Sequence, residues 1–419
     1  MKIALVNYRY FVSGGPERYL FNIKTILEDN GHEVFPFSIK NSRNEANDYE
    51  KYFLDAVDDE VYFSQSKKSF LTVFKYLFRM FYSFEARKKM LRFLKDVQPD
   101  IVYILQYHNK ISPSIISAAR KLNIPVVHRI SDFQYLCPNA LLYNEVDGIC
   151  EDCLNVKSWH CIQKKCVFNS SVYSFIKLMA KKLYELLRVT QKIDAFVVPS
   201  SFTLNKFLQY GIPAAKLHHI PTFYDSKMTV TDVKYEPYLL YVGRISKEKG
   251  LTTLIKAFEN TDNKLKIIGF ADNNYENELK SYLADKKHHI EFLGKKDFQE
   301  IIPYLSTCLC TIVPSEWYEN FPNAILESFA FKKAVIATGI GSLPELVKNN
   351  ETGFTFSYRS PEDLKKQVTY MLAHPDEARR MGENGYQTLY QQYSKEKHYV
   401  QLMKLLYEYI NTIRRGNAI

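Results

Sequence analysis

Two stretches carry residues whose types and spacing suit a phosphorylated, hydroxyl-rich ligand. The run Leu239-Leu240-Tyr241-Val242 reads as a strand ending in Gly243 and Arg244, followed by Ile245-Ser246-Lys247-Glu248-Lys249-Gly250 and a helix. A guanidinium offers a planar fork of donors and an ammonium a compact charge, so Arg244 and Lys249 just past a strand end could clamp a diphosphate. A solvated charged loop is the plainer alternative. The second stretch runs from Pro314 to Glu327. Pro322 fits the first turn of a helix, where its missing N–H is one that would go unpaired anyway. The backbone from Asn320 through Phe321 to Asn323 then lies at a positive helix end, which attracts an anion. Glu319 precedes that helix and Glu327 falls inside it, so the two carboxylates address different parts of a ligand. A negative Glu319 beside phosphates is tolerable only when aimed at hydroxyls. A capped amphipathic helix with an acidic start is the alternative.

These loops need a scaffold, and the length supplies two. The chain has 419 residues, about two to three times a common domain of ~150 residues. Hydrophobic residues make up 46% and charged residues 24%, which excludes a disordered or collagen-like chain. Short apolar runs at 3–6, 101–105, 124–127, 195–198 and 218–220 alternate with helical patterns. After a polar stretch the series restarts at 239–242, 264–268, 290–293, 309–313, 334–337 and 353–356. The reading is α/β, with two consecutive doubly wound units whose strand ends face one cleft. Residues 1–225 form the first unit, 226–236 a linker, 237–395 the second unit, and 396–419 a helix returning to the first.

Strand-G-R-x-x-x-x-K-G, the E-x(7)-E pair Glu319 and Glu327, the segment 339–345 (GIGSLPE) and Asn350-Glu351-Thr352-Gly353-Phe354 together resemble the retaining nucleotide-sugar glycosyltransferases of family 4. The first half fits as well, through Ser13-Gly14-Gly15-Pro16-Glu17-Arg18, Pro99-Asp100-Ile101-Val102 and Val198-Pro199-Ser200-Ser201. The resemblance implies a GT-B fold, two facing Rossmann-like domains. It implies that Arg244 and Lys249 hold the donor diphosphate, Glu319 orients the transferred sugar, and Glu327 binds the ribose. Gly14, Gly15, Asn320, Phe321, Pro322 and Asn323 would contact phosphates and sugar, and loops at Gly269, Gly294 and Lys295 would form the base pocket. No cofactor is required in this reading, and no D-x-D triplet occurs. One departure stands out in Val127-His128-Arg129-Ile130-Ser131-Asp132: Ser131 occupies the place of the family's usual histidine and only Asp132 matches. His108 or Arg129 are the candidates to replace it; for His108 a structural role is the alternative.

Seven cysteines in a chain whose start has no apolar core of signal-peptide length favour a cytoplasmic protein without a disulfide framework. Cys150, Cys153, Cys161 and Cys166 form an insert after Cys137, at about 137–166, and suit a structural zinc; reduced, unligated thiols are the alternative. Lys+Arg number 56 and Asp+Glu 46. The excess sits in residues 1–225, with 30 basic and 22 acidic residues, against 26 and 24 in the remainder. Nine basic residues interleave with aromatic ones at 64–95, and 172–192 repeats the pattern more weakly, which suits an anionic membrane surface or, equally, a helix with one core face. Nucleic acid is disfavoured because no recognition motif accompanies the charge. The partners expected are a nucleoside-diphosphate sugar and a glycan acceptor, lipid-linked in a surface polysaccharide, at the inner face of the plasma membrane. A transferase with a small soluble acceptor and a non-catalytic nucleotide-sugar binder are the alternatives.

Overall fold

The computed structural model describes residues 1–56, 79–108, 110–154, 159–225, 234–271 and 274–416. In chain order the first half holds β1 (Lys2–Asn7), β2 (Glu33–Phe37), β3 (Ile101–Gln106), β4 (Val126–Arg129), a small antiparallel hairpin of β5 (Tyr143–Asn144) and β6 (Gly148–Ile149), then β7 (Ala195–Val198) and β8 (Leu217–His219). Its sheet is parallel throughout, in the order β2-β1-β3-β4-β7-β8. The second half holds β9 (Tyr238–Val242), β10 (Lys264–Ile268), β11 (His289–Phe292), β12 (Cys310–Val313), β13 (Ala334–Thr338) and β14 (Gly353–Phe356), parallel in the order β11-β10-β9-β12-β13-β14.

Helices cover both faces of each sheet, so the strands are near-continuous apolar runs rather than alternating ones. The period of two still sorts side chains by face. Ala4, Val6, Val102 and Ile104 pack in one layer of the first domain, while Ile3, Leu5, Ile101 and Tyr103 pack in the other. In the second domain Leu239, Tyr241, Leu265 and Ile267 face one layer, and Tyr238, Leu240 and Ile268 the opposite one.

Strand order reverses between β1 and β3 in the first sheet, and between β9 and β12 in the second. A doubly wound sheet opens a crevice at that reversal, outside the carboxyl ends of its strands. The loops leaving β1, β9 and β12 are the glycine-rich and charged segments singled out in the sequence.

Three local expectations are corrected. The run 124–127 becomes a strand two residues later, because His128 and Arg129, polar in sequence, are buried with partners of their own. The run at 218–220 becomes β8, Leu217–His219. Pro322 stands at the N-cap, with φ −77° and ψ 116°, one residue before the helix Asn323–Ala330.

Of the basic aromatic segment, residues 64–78 lie outside the described residues. Its remainder forms the helix Phe84–Val97, which buries Ala86, Met90, Phe93, Leu94 and Val97 against the core. The helix Ser171–Leu186 buries Ser174, Leu178, Ala180 and Lys181 and exposes Val172, Phe175 and Leu186. No helix among the described residues is long and apolar enough to cross a membrane. The chain crosses back at its end: the helix Lys395–Gly416 lays Leu402, Met403, Leu405, Leu406 and Ile410 into the first domain's core beside Leu20 and Ile23.

Candidate functional site

A cleft of about 580 Å³ lies between the domains, and both switch points open into it. It is lined by seven basic side chains, Arg9, Arg18, Arg129, Arg244, Lys249, Lys295 and Lys296, against three acidic ones, Glu17, Asp132 and Glu319. Low-dielectric walls carrying one excess sign concentrate counter-charged ligands, so the field in the cleft favours an anion.

Lys249 owes its position to Gly250. That glycine has φ +74°, and a Cβ there would stand 1.8 Å from the carbonyl oxygen of Pro314. Only a residue without a side chain lets the loop after β9 lie this close to the loop after β12. The result is a direct contact between the two charged stretches: Lys249 Nζ donates to Glu319 Oε1 at 2.6 Å. Ser315 Oγ and Trp317 Nε1 donate to the same oxygen at 2.7 and 2.9 Å. Burial raises the Glu319 carboxyl, but the charge and hydrogen bond of Lys249 and the two further donors outweigh it and hold the group below its ordinary range. Three donors on Oε1 anchor the carboxylate, so Oε2 is the oxygen left to meet a ligand.

Arg244 is 40% exposed at its side chain and pairs with Glu248 at 2.8 Å, which also accepts from Ser246 Oγ. The other donor-side positions gather here as well. Gly14, Gly15, Gly269, Lys295, Asn320, Phe321, Pro322 and Asn323 line the cleft. The helix Asn323–Ala330 has no side-chain cap at its start, leaving its first amides to a ligand. Across the cleft, the place of a Cβ on Gly15 lies 2.9 Å from Asn323 Nδ2. Gly269 N donates to Gly294 O at 3.0 Å, joining the loops after β10 and β11, while Gly294 itself stands outside the cleft lining.

Glu327 also stands back from the lining. Its Oε1 pairs with Arg18 NH1 of the facing domain at 2.6 Å. Further contacts close the cleft. Glu345 accepts from the backbone N–H groups of Ser201 and Phe202 at 2.9 and 2.6 Å, capping the helix Ser201–Gln209 of the other domain. Thr203 Oγ1 donates to Asn320 Oδ1 at 2.8 Å. Tyr318, whose ring packs 4.5 Å from that of Phe202, donates to Glu151 at 2.7 Å.

On the first domain's side, Arg129 and Asp132 line the cleft with Ser131. Asp132 is pushed up to about 6 by burial, opposed by the Gln134 amide and by Lys177. His108 does not reach the cleft. It stacks on Tyr107 at 3.8 Å and near His128 at 5.7 Å, has no hydrogen-bond partner on either ring nitrogen among the described residues, and is held neutral by burial. Arg9, Gln106, Trp317, Thr222 and Lys296 were not singled out in the sequence. Arg9 and Gln106 follow or end strands at the switch point, and that position is the signal that finds them.

In the insert, Cys137 and Cys161 both lie within hydrogen-bonding reach of Cys153, and Cys166 packs with them. Cys150 stands nearer the surface, 3.9 Å from Lys164 Nζ. Among the described residues no three His, Cys, Asp or Glu side chains are arranged as metal ligands.

The sequence matches two family models: "Glycosyltransferase Family 4" over residues 13–227 and "Glycosyl transferases group 1" over 228–388. An uncharacterized glycosyltransferase of Methanocaldococcus jannaschii is 32% identical over 147 residues, 35% of this chain and 41% of that protein. The N-acetyl-alpha-D-glucosaminyl L-malate synthase of Bacillus anthracis is 26% identical over 190 residues, 43% of this chain and 48% of the relative. The chain thus spans less than half the length of these two. Similar solved structures include sucrose-phosphate synthase from Thermosynechococcus elongatus, with TM-score 0.70 and 18% identity over 98% of this chain and 99% of the other. HepE of Anabaena in complex with UDP-glucose has TM-score 0.62 and 15% identity, covering 100% and 99% of the two chains. At these identities the likeness is one of fold, GT-B.

Proposed function

We propose, because the chain belongs to glycosyltransferase family 4, that it transfers a sugar with retention from a nucleoside-diphosphate sugar to a glycan acceptor. The observation that carries this reading is the cationic cleft at the two switch points, with Lys249 and the anchored carboxylate of Glu319 side by side. Arg244, Lys249 and the start of the helix Asn323–Ala330 would receive the diphosphate and stabilise its charge as the sugar departs, the interaction that strengthens most in the transition state. Glu319 Oε2 would accept from sugar hydroxyls. Binding of a ribose by Glu327 would take over the place of Arg18. The acceptor oxygen would bond to the anomeric carbon from the face the diphosphate leaves, and its proton would pass to the departing phosphate oxygen. The positive charge for that step would come from side chains and a helix end rather than from a required metal.

The finer parts of the proposal are the acceptor and the place of action. A lipid-linked precursor of a surface polysaccharide, met at the cytoplasmic membrane face, fits the basic excess of residues 1–225 and the exposed Val172, Phe175 and Leu186. Flotation with anionic vesicles tests it, and protein left wholly in solution removes it. A zinc on Cys150, Cys153, Cys161 and Cys166 belongs to the same proposal; metal analysis well below one equivalent per chain ends it. The transferase reading is tested by a thermal-shift screen over nucleoside diphosphates, since a ligand that binds only the folded chain raises its melting temperature. No shift with any of them refutes the donor site.

A further inference from the structure

Arg129 is a cation without an anionic partner among the described residues. Its residue is 7% exposed, and it ends β4 at the floor of the cleft. Its guanidinium lies 3.9 Å from the centroid of the Tyr19 ring. NH2 donates to Thr222 Oγ1 at 2.7 Å and NH1 to Ser131 Oγ at 3.2 Å. The Tyr19 hydroxyl also lies within hydrogen-bonding reach of the guanidinium. A guanidinium has five N–H donors, and Nε is buried with no hydrogen-bond partner among the described residues. No carboxylate among the described residues pairs with it. The groups packed around it are neutral: Tyr19, Tyr103, and the imidazoles of His128 and His398, both depressed to about 3 by burial with the Arg129 charge adding to it. A buried charge is ordinarily paired, because leaving water without a counter-ion is costly. Here the open side of the guanidinium is the cleft.

From this geometry we infer that the acceptor carries an anionic group, a carboxylate or a phosphate, and that Arg129 binds it. The inference rests on the transferase reading for the word acceptor. Arg129 belongs to the first domain, whereas Arg244 and Lys249 of the donor clamp belong to the second, and all three line the one cleft. Gln106, at the end of β3 in the same floor, holds a buried Oε1 with no donor among the described residues, suited to a hydroxyl of the same molecule. A planar fork facing one ligand favours a bidentate acid over a neutral sugar.

The test uses the full chain saturated with the nucleoside diphosphate that stabilises it best, so that the donor phosphates are already occupied. Inorganic phosphate and glucuronate are then titrated at constant ionic strength, with glucose as the uncharged match of glucuronate. Phosphate, glucuronate or both are expected to stabilise the wild type, and which of them does so identifies the anion; glucose is expected to be at least about tenfold weaker. Arg129→Met is expected to weaken the anion by about tenfold or more, and Arg129→Lys to retain part of it. No response to either anion, equal responses to glucuronate and glucose, or a response that survives Arg129→Met overturns the inference. If Arg129→Met does not fold, the wild-type comparison of glucuronate with glucose decides alone. Failure of every nucleoside diphosphate to bind would strike the transferase reading instead, while the anion titration on the ligand-free chain still reports on Arg129.

Discussion

At the scale of single residues, the ion pair between Lys249 and Glu319 sets the strongest expectations. Lys249→Met leaves a carboxylate buried beside only two neutral donors, which should cost about 3 kcal/mol of stability at neutral pH. Because the Glu319 carboxyl is held below its unfolded value, its contribution is present above that value and fades as pH falls, so the difference between wild type and variant should shrink toward pH 4 in thermal melts. Arg244→Ala should leave stability nearly unchanged, since Arg244 is partly exposed, yet lower kcat by about 10²–10³-fold. Unchanged turnover in Arg244→Ala would falsify its place in the leaving-group clamp. Asp132 behaves in the opposite sense. Its folded value of about 6 lies above the unfolded one, so its ionisation opposes folding as pH rises through 4 to 6. Asp132→Asn should therefore stabilise the protein at pH 7 by about 1–2 kcal/mol, discounted for the side chain's partial exposure, with the gain gone below about pH 4.

Among the elements, the parallel strands were the most legible from sequence, because burial on both faces turns them into uninterrupted apolar runs. The exception is instructive. Val126–Arg129 ends in two polar residues, and local hydropathy could not foresee that Tyr135 would meet His128 Nδ1 at 2.9 Å, or that Thr222, 93 residues on, would meet Arg129. The site loops were legible from glycine, proline and charge placed after strands. Contacts between the domains were not, because they join positions such as Arg18 and Glu327 that are far apart in sequence. One of these contacts is open to measurement. Glu345 supplies from one domain the cap that the helix Ser201–Gln209 lacks for its first two amides, beyond the bond that the Thr203 N–H donates to Ser200 Oγ. Glu345→Ala should weaken the closed arrangement by about 1 kcal/mol, a roughly fivefold shift toward open forms. Small-angle scattering should then show a larger radius of gyration, and an unchanged radius would mean that closure does not depend on this cap.

For the whole molecule, the final helix completes the core of the first domain after the chain has passed through the second. Deleting residues 395–416 uncovers Leu402, Leu405, Leu406 and Ile410's partners on the first domain, an apolar face that should bring the truncated chain down as aggregate or a loosely packed state, seen as loss of near-ultraviolet dichroism. Acid should also be felt globally. His128 and His398 stay neutral in the fold down to about pH 3, and His108 is depressed as well. Between pH 6.5 and 4 the unfolded chain therefore binds more protons there than the native one, and stability falls as pH falls. Asp132, raised to about 6, takes up a proton in the fold over part of the same range and offsets part of this loss without reversing its sign. A flat profile between pH 6.5 and 5 would contradict the buried state of these imidazoles.

The return of the chain has a mechanical consequence. Tyr224, at the exit from the first domain, pairs with Ser394 just before the last helix, and its N–H reaches Tyr393 O at 3.0 Å. Two covalent passages tied together at one margin act as the spine of a book. Pages bound in that way part least at the spine and most at the fore-edge, where Tyr318 meets Glu151 and Tyr358 OH accepts from Ile149 N. The hairpin and insert that carry Ile149 and Glu151 thus act as a clasp between the two covers, held by two hydrogen bonds rather than by the chain itself.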